Sequence, residues 1–448
     1  MLITNATVVT CEQPNRVLAK HAVYVAGDHV QELGPSSRLE KAHPKSRRID
    51  AHGQFLLPGS ICAHTHLHRH FARGLVLGGP PPADLSQLLE RFWRPLEQGL
   101  LEEDIRFAAL AGLVDAIRSG TTTLFDHHSS PAAVDGSLDM IAESVERSGL
   151  RAVLCYAVTD QDGKHVADSG IKENVRFLKR LEAEKNPRLA GMFGLKGSET
   201  LSGATLQACQ AAAPADAGFH VIVAEHKAEQ FDSQDRTGMR VVDRFQNQGI
   251  LGSKTIAAHC VHIDAMESML LQQSGTWVSH QPRSNMRQAV GVAPIESMVR
   301  SGVQVCLGTD GLSADMWDEW RAARALPRAA RQELRQMESR QVSDMALGNG
   351  AALASLYFPA APVGRIVPGA AADLILVDYR PSTPIDATNV EEHIMDGFHA
   401  GMVTTTMVAG RLLMKDRKLL TLDEEEITTR GRELARRVWK RVKSGAAG

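Results

Sequence analysis

Apolar and polar positions follow two different rhythms along the 448 residues. The first 58 residues read as short alternating strands with turns: "LITNATVVT", "HAVYVAGDHVQELGP" and "RRIDAHGQFLLPG". The same texture returns late, in "GRIVPGAAADLILVD" and "TTTMVAGRLLMKD". The two flanks therefore read as one small β domain, because chain termini often lie close together. Between them, short apolar runs alternate with charged segments whose apolar residues recur at helical spacing. Eight such runs stand out: "GSICAHTH", "GTTTLFDHH", "LRAVLCYAV", "LAGMFGLKG", "FHVIVAEH", "TIAAHCVH", "GTWVSHQ" and "GVQVCLGTDG". Intervening segments such as "EEDIRFAALAGLVDAIRSG" and "SLDMIAESVERSG" end at Gly, a common helix stop.

Eight β-then-α units predict an α/β fold, a (β/α)8 TIM-type barrel, with a small β-sandwich domain formed by both chain ends. The expected boundaries are 1–58 with 362–425 for the small domain, 59–361 for the barrel, and 426–448 for a C-terminal helix. No GxGxxG or phosphate loop follows the first barrel run, which argues against a dinucleotide-binding sheet.

The ends of the runs carry the candidate chemistry. They close on His64 and His66, Asp126 and His127, Lys196, His226, His259, His280 and Asp310. In a barrel of this type the carboxyl ends of all strands meet on one face, which holds the active site. So many polar residues at strand ends are costly to bury unless they share partners or a metal. His64 and His66 are two apart on a strand and point to the same side. Imidazole and carboxylate donors suit zinc, and also iron or manganese. His64, His66, His226 and Asp310 would leave one position open for water. Glu229, three residues past His226, could take a proton from that water and pass it to a leaving group. His259 could be a further ligand, polarise a substrate or orient the water, and Asp310 could also accept a proton. His68 and His70 fall past the strand end, lining the mouth of the site or facing solvent. The following segment, "RHFARGLVLGGPPPADLSQLLERFW", reads as a loop covering the pocket. On it Arg73 and Trp93 are substrate-facing candidates.

Composition removes other classes. Net charge is −2, without the basic excess of a nucleic-acid binder. The six cysteines are scattered with no CxxC, so neither a disulfide framework nor a cysteine metal site is expected. No stretch of 18 apolar residues and no leader-like start is present, so the expectation is a cytoplasmic protein without membrane or nucleic-acid partners. A homodimer is the default oligomer.

Several of these segments together resemble the amidohydrolase superfamily, in its cytosine deaminase, S-adenosylhomocysteine deaminase and triazine chlorohydrolase branch. The carriers are "LLPGSICAHTH", "GTTTLFDH", "HKAE", "AAHCVH", "SHQPRSNM", "LGTDG", "NGAALASL" and "GRIVPGAAADLILVD". A narrower likeness, through "DHHSSP", "PRSNM" and "GTDGLSADMW", is to SsnA-type aminohydrolases. The resemblance implies His64, His66, His226 and Asp310 as ligands of one divalent metal, with zinc favoured. It implies Glu229, His259 and Asp310 as catalytic, and a purine, pterin or similar heterocycle as substrate. Attack by metal-bound hydroxide would release ammonia. Arg283, in the seventh-run segment, joins the substrate-facing candidates; Gln281 departs from the usual HNP there. Lys196 departs too, because this branch usually ends its fourth strand in histidine. In the two-metal branch a lysine at that place is carboxylated and bridges two ions. A two-metal hydrolase of cyclic amides or carbamates is therefore the alternative, with Lys196 otherwise facing substrate. A non-catalytic barrel is a third reading, opposed by the apparent retention of every expected ligand.

Overall fold

The computed structural model describes residues 1–360 and 362–445. Its strands, in chain order, are β1 (Leu2–Val9), β2 (Val17–Ala26), β3 (His29–Pro35), β4 (Arg48–Asp50), β5 (Phe55–Pro58), β6 (Ser60–Thr65), β7 (Thr121–His128), β8 (Arg151–Tyr156) and β9 (Leu189–Gly191). They continue as β10 (Phe193–Leu195), β11 (Phe219–Val223), β12 (Ile256–His259), β13 (Trp277–His280), β14 (Val305–Leu307), β15 (Leu374–Val377), β16 (Val403–Val408), β17 (Arg411–Lys415) and β18 (Lys418–Leu419).

The alternating strands of the two chain ends form one nine-stranded sheet, in the order β18-β17-β16-β15-β5-β1-β2-β3 with β4 paired to β1. Its junction is antiparallel, with Leu374 opposite Pro58 and Val377 opposite Phe55. The two flanks are thus hydrogen-bonded to each other across more than 300 residues of intervening chain.

The middle of the chain is a TIM-barrel-type α/β arrangement. Two all-parallel sheets run β6-β7-β8-β9 and β10-β11-β12-β13-β14. The run expected as one fourth strand is split at Met192 into β9 and β10. Across that break Val158 bridges Leu195, and Lys196 N–H donates to Val158 O at 2.9 Å. At the other edge, the amides of Thr309 and Asp310 both donate to His64 O, at 2.9 and 3.1 Å. Gly308 permits that approach, because a Cβ there would stand 2.7 Å from the His64 backbone. The strands are buried on both faces, which explains their continuous apolar character.

Crossover helices end where the sequence predicted. Helix Glu102–Ser119 starts with three acidic residues, favourable at the positive end of the helix dipole, and stops at Gly120 with φ 79°. The last helix, Glu424–Gly445, begins slightly before the expected 426; residues 446–448 lie outside the described part. Ile427, Leu434, Val438 and Val442 bury one of its faces. Trp439 Nε1 donates to Phe71 O at 2.6 Å and Arg441 Nε to Gly99 O at 2.7 Å. The helix therefore braces the chain that leaves β6.

That chain is ordered, contrary to the open-loop reading. Leu67–Ala72 is a 3-10 helix, and 85–98 is continuously helical. His68 and His70 are buried, with 1% and 8% exposure. His68 Nε2 faces Glu97 at 3.7 Å and His70 Nε2 faces Asp115 at 3.6 Å. The expectation that they sit in solvent or at the mouth fails, because the 3-10 turn folds them back against acidic partners. No helix among the described residues is long and apolar enough to cross a membrane.

Candidate metal and active site

Register on β6 turns His64 and His66 to one side, and the β14 extension brings Asp310 to them. Donor atoms of these three buried residues lie within 4.8 Å of one another. His66 Nε2 is 3.1 Å and His64 Nε2 3.6 Å from Asp310 Oδ1. His259 Nε2, at the end of β12, is 4.0 Å from the same oxygen. All three Nε2 atoms are buried without a hydrogen-bond partner. Their outer nitrogens are engaged. His66 Nδ1 lies 2.5 Å from His127 O, His64 Nδ1 2.8 Å from His220 Nε2, and His259 Nδ1 2.9 Å from Asn285 Oδ1. An imidazole whose outer N–H donates presents its inner nitrogen as a lone pair, the arrangement metal ligation uses. For His66 the outer partner is a carbonyl, which fixes that tautomer.

Electrostatics agree with neutral rings around an anion. Burial lowers His64 to about 4, and burial with the nearby Arg69 charge holds His66 well below its ordinary value. Burial alone would raise the Asp310 carboxyl; Arg69 and the imidazoles outweigh it and hold the group well below the carboxylate range. The other Asp310 oxygen accepts from Ser284 Oγ. His259 and Asp310 both adopt left-handed backbone, with φ 72° and 65°. Such conformations are unfavourable for residues with a side chain and concentrate at functional sites.

The residue roles expected on β11 are distributed differently. His220 meets His64, so the even-numbered side chains of β11 face the strand-end interior, and the next one along is Ile222. His226 lies beyond the strand, at the start of helix Lys227–Thr237. It is half-buried and is not among the residues gathered around Asp310. The structure therefore does not bring His226 to the other three expected ligands. Glu229 is buried, but its oxygens accept the amides of Ser198 and Glu225 at 3.0 and 3.2 Å. Glu225 is the carboxylate that approaches the imidazoles. Its Oε1 is 3.5 Å from His259 Nδ1 and accepts from Gln288 Nε2 at 2.8 Å. Burial raises both carboxyls, and Glu229 is raised further by its neighbour Glu199.

A cavity of about 320 Å³ opens beside this group, lined among others by Arg69, Trp93, Lys196, Ile222, Glu225 and Gln288. His226 and Glu229 also line it. A smaller space of about 140 Å³ lies beyond the Arg69–Trp93 stack, where the guanidinium sits 4.5 Å from the ring centroid. Trp93 and Lys196, read from the sequence as substrate-facing, both line the cavity. Arg73 does not. It is half-exposed and binds Asp115 and Leu312 O, anchoring the chain after β14. Arg283 reaches the smaller space, but its guanidinium is committed to Glu319, with Nε 2.6 Å from Oε1. Lys196 Nζ donates to buried Glu97 at 2.6 Å. Glu97 also faces His68 and Arg69 and accepts from Ser129 Oγ at 3.0 Å. A carbamate on Lys196 would set an anion beside that carboxylate.

Arg69, Glu97, His220 and Glu225 were absent from the sequence-based site. Glu225 had little signal. It stands two residues past the end of β11 and five from His220, an odd spacing that strand parity assigns to the opposite face. Glu97 had none, because its place depends on how the helix 94–98 packs.

The arrangement defines a buried two-histidine, one-aspartate donor set at the strand ends of a parallel α/β fold. Known proteins share sequence and fold with the chain. A sequence profile of the amidohydrolase family matches residues 55–413. The chain is 30% identical to a 5'-deoxyadenosine deaminase of Methanosarcina mazei, covering 99% of each chain. It is 30% identical to a 5-methylthioadenosine/S-adenosylhomocysteine deaminase of Pelotomaculum thermopropionicum, over 98% of this chain and 99% of the other. Among solved structures, a zinc-bound adenosine deaminase of Xanthomonas campestris superposes with TM-score 0.85 at 23% identity, over 98% of each chain. The zinc complex of atrazine chlorohydrolase TrzN from Arthrobacter aurescens gives 0.80 at 21%, over 97% and 99%. The chain belongs to the amidohydrolase family. It is a hydrolase acting on carbon–nitrogen bonds other than peptide bonds.

Proposed function

We propose that this chain is a metal-dependent deaminase of adenosine-type purine nucleosides, releasing ammonia from the ring carbon that bears the amino group. The observation that carries it is the pair of buried, unpartnered Nε2 atoms of His64 and His66 facing one oxygen of Asp310. Neutral imidazoles plus a carboxylate fit a divalent ion such as zinc. Such an ion supplies Lewis acidity that makes water a stronger proton donor near neutral pH.

Around it, the protein's own groups hold the substrate and move protons. Glu225 accepts a proton from the attacking water and returns it to the departing amine, so that water adds to carbon, the carbon–nitrogen bond breaks, and ammonia leaves. Its raised proton affinity, caused by burial, suits a group that works in both directions. Gln288, donating to Oε1, orients it. This role was expected of Glu229; the two backbone amides bound by Glu229 favour a positioning role for that residue instead. Trp93 and Ile222 offer apolar cavity walls, and the volume falls in the range of small-ligand sites.

The choice of nucleoside follows the deaminase relatives, which span nearly the whole chain. One ion is favoured over two, because Lys196 is paired with Glu97. In this reading the eight parallel strand runs close into a (β/α)8 barrel over 59–361. The His64–Thr309 and Val158–Leu195 contacts support closure, and residues 1–58 with 362–425 make a separate small β domain beside it. The test is an ammonia-release screen of zinc-loaded protein. It predicts turnover of 5'-deoxyadenosine, 5'-methylthioadenosine or adenosine above that of pterins, guanine and cytosine. Release only from a cyclic amide or carbamate would overturn it in favour of the two-metal alternative.

A further inference from the structure

An ion bound by His64, His66 and Asp310 has three protein donors, and β11 adds none. His220 lies one layer deeper, against His64, and the next residue on the same face, Ile222, carries no donor. His226 starts the following helix and is half-exposed.

We infer that His259 supplies the third imidazole of the metal centre, in the place that β11 leaves to Ile222. This rests on the metal-site reading above. Two donors at ~2.0–2.1 Å from one tetrahedral ion are roughly 3.4 Å apart. Against Asp310 Oδ1, His66 stands at 3.1 Å, His64 at 3.6 Å and His259 at 4.0 Å, so His259 needs to close on that oxygen by little more than half an ångström; it stands outside the mutual 4.8 Å spacing that His64, His66 and Asp310 keep, so it must also move toward the other imidazoles. Its Nε2 is buried and unpartnered, like those of the other two. Its Nδ1 is held by Asn285 at 2.9 Å, and the Asn285 side chain is itself fully buried. His259 and Asp310 both depart from strand geometry through left-handed backbone. Asn285 is the positioning residue: an amide oxygen accepting Nδ1–H leaves Nε2 free as a lone pair. Register alone would set His259, paired with Val223 of β11, on the face opposite Ile222; the left-handed turn at His259 breaks that alternation, and its Nε2 lies 4.0 Å from Asp310 Oδ1.

The experiment is cobalt(II) and zinc binding to chelator-stripped full-length protein. Cobalt is followed by its visible absorption band and zinc by competition with a chelating dye. His259→Ala is expected to weaken binding about 100-fold or more and to change the cobalt band. Asn285→Leu is expected to weaken it about 10-fold or more. His226→Ala is expected to bind as the parent does. Ile222→His, which leaves His259 in place, is expected to bind tighter by about tenfold or more and to shift the band as a new nitrogen enters. Parent-like affinity and spectrum in His259→Ala, or loss of binding in His226→Ala, would overturn the inference. If His259→Ala fails to fold by circular dichroism, Ile222→His and Asn285→Leu decide, and unchanged binding in both overturns it. A parent that binds neither ion at one equivalent per chain would instead remove the metal-site reading itself, and this inference with it.

Discussion

Arg69 and Asp310, 241 residues apart, are joined where both line the smaller space: Nη1 of the guanidinium donates to Oδ1 of the carboxylate at 3.1 Å. That oxygen is the one the imidazoles face. A fixed positive charge therefore shares a ligand atom with any bound cation, and like charges a few ångströms apart in a partly buried site repel strongly. Arg69→Leu is predicted to tighten zinc binding by about tenfold, measured by dye competition at constant ionic strength. Unchanged or weaker binding would show that the guanidinium does not compete with the ion.

The two glutamates at the end of β11 are predicted to separate cleanly. Glu225→Gln should lower kcat by roughly 10²–10⁴ with little change in KM, because proton transfer is lost while the cavity keeps its shape. Glu229→Gln should mainly lower Tm, since an amide accepts less well from Ser198 and Glu225 N–H, and should keep activity within about tenfold. Steady-state kinetics on the two purified variants, with zinc content matched, reads the difference. The reverse pattern would return the proton-transfer role to Glu229.

Much of this site was legible before the fold was known, and the part that was not has a physical reason. The HxH pair and Asp310 stood at the ends of apolar runs, where period-two patterning states which side chains share a face. The alternating strands of the two chain ends were legible for the same reason; they were read as a sandwich and pair here in one sheet. The β11 assignment failed because spacing alone picked out "HKAE", whereas strand parity begins at His220 and runs through Ile222. Contacts across long separations left no trace in local pattern. Lys196 meets Glu97 across 99 residues and Arg69 meets Asp310 across 241, and nothing in a periodicity reports which buried charges will pair. His68 and His70 were misread likewise, because a 3-10 turn returned them to the interior.

Asp126 carries a pH-dependent cost. It is fully buried in β7, its Oδ1 accepts Leu67 N–H at 2.7 Å, and its Oδ2 has no partner. Burial pushes its carboxyl up to about 7, against ~3.9 for an exposed aspartate. The native state keeps a proton that the unfolded chain gives up above pH ~4. The residue's contribution is therefore fully present below that pH and is lost as pH rises toward 7. The Tm of Asp126→Asn relative to the parent is predicted to climb between pH 5 and 7.5 and then level off. Parallel Tm profiles would contradict this.

Arg151 of β8 binds Asp373, next to β15, through two hydrogen bonds of 2.9 and 3.2 Å, both side chains buried. This pair ties the parallel strands to the mixed sheet. Removing one partner leaves an uncompensated buried charge, so Arg151→Met is predicted to destabilise by about 3–5 kcal/mol in urea unfolding. Adding Asp373→Asn should recover part of that loss, because the amide oxygen can still accept Ala409 N–H, which Asp373 Oδ1 now receives at 2.7 Å. A double variant no more stable than the single one would place the cost elsewhere.

The most direct measurement is ammonia released from 5'-deoxyadenosine by chelator-stripped protein as zinc is added back in steps. Release should be negligible without metal, rise in proportion to zinc and level off at one ion per chain. Full activity in the stripped protein, or a plateau at two ions per chain, would contradict a single catalytic ion held by His64, His66 and Asp310.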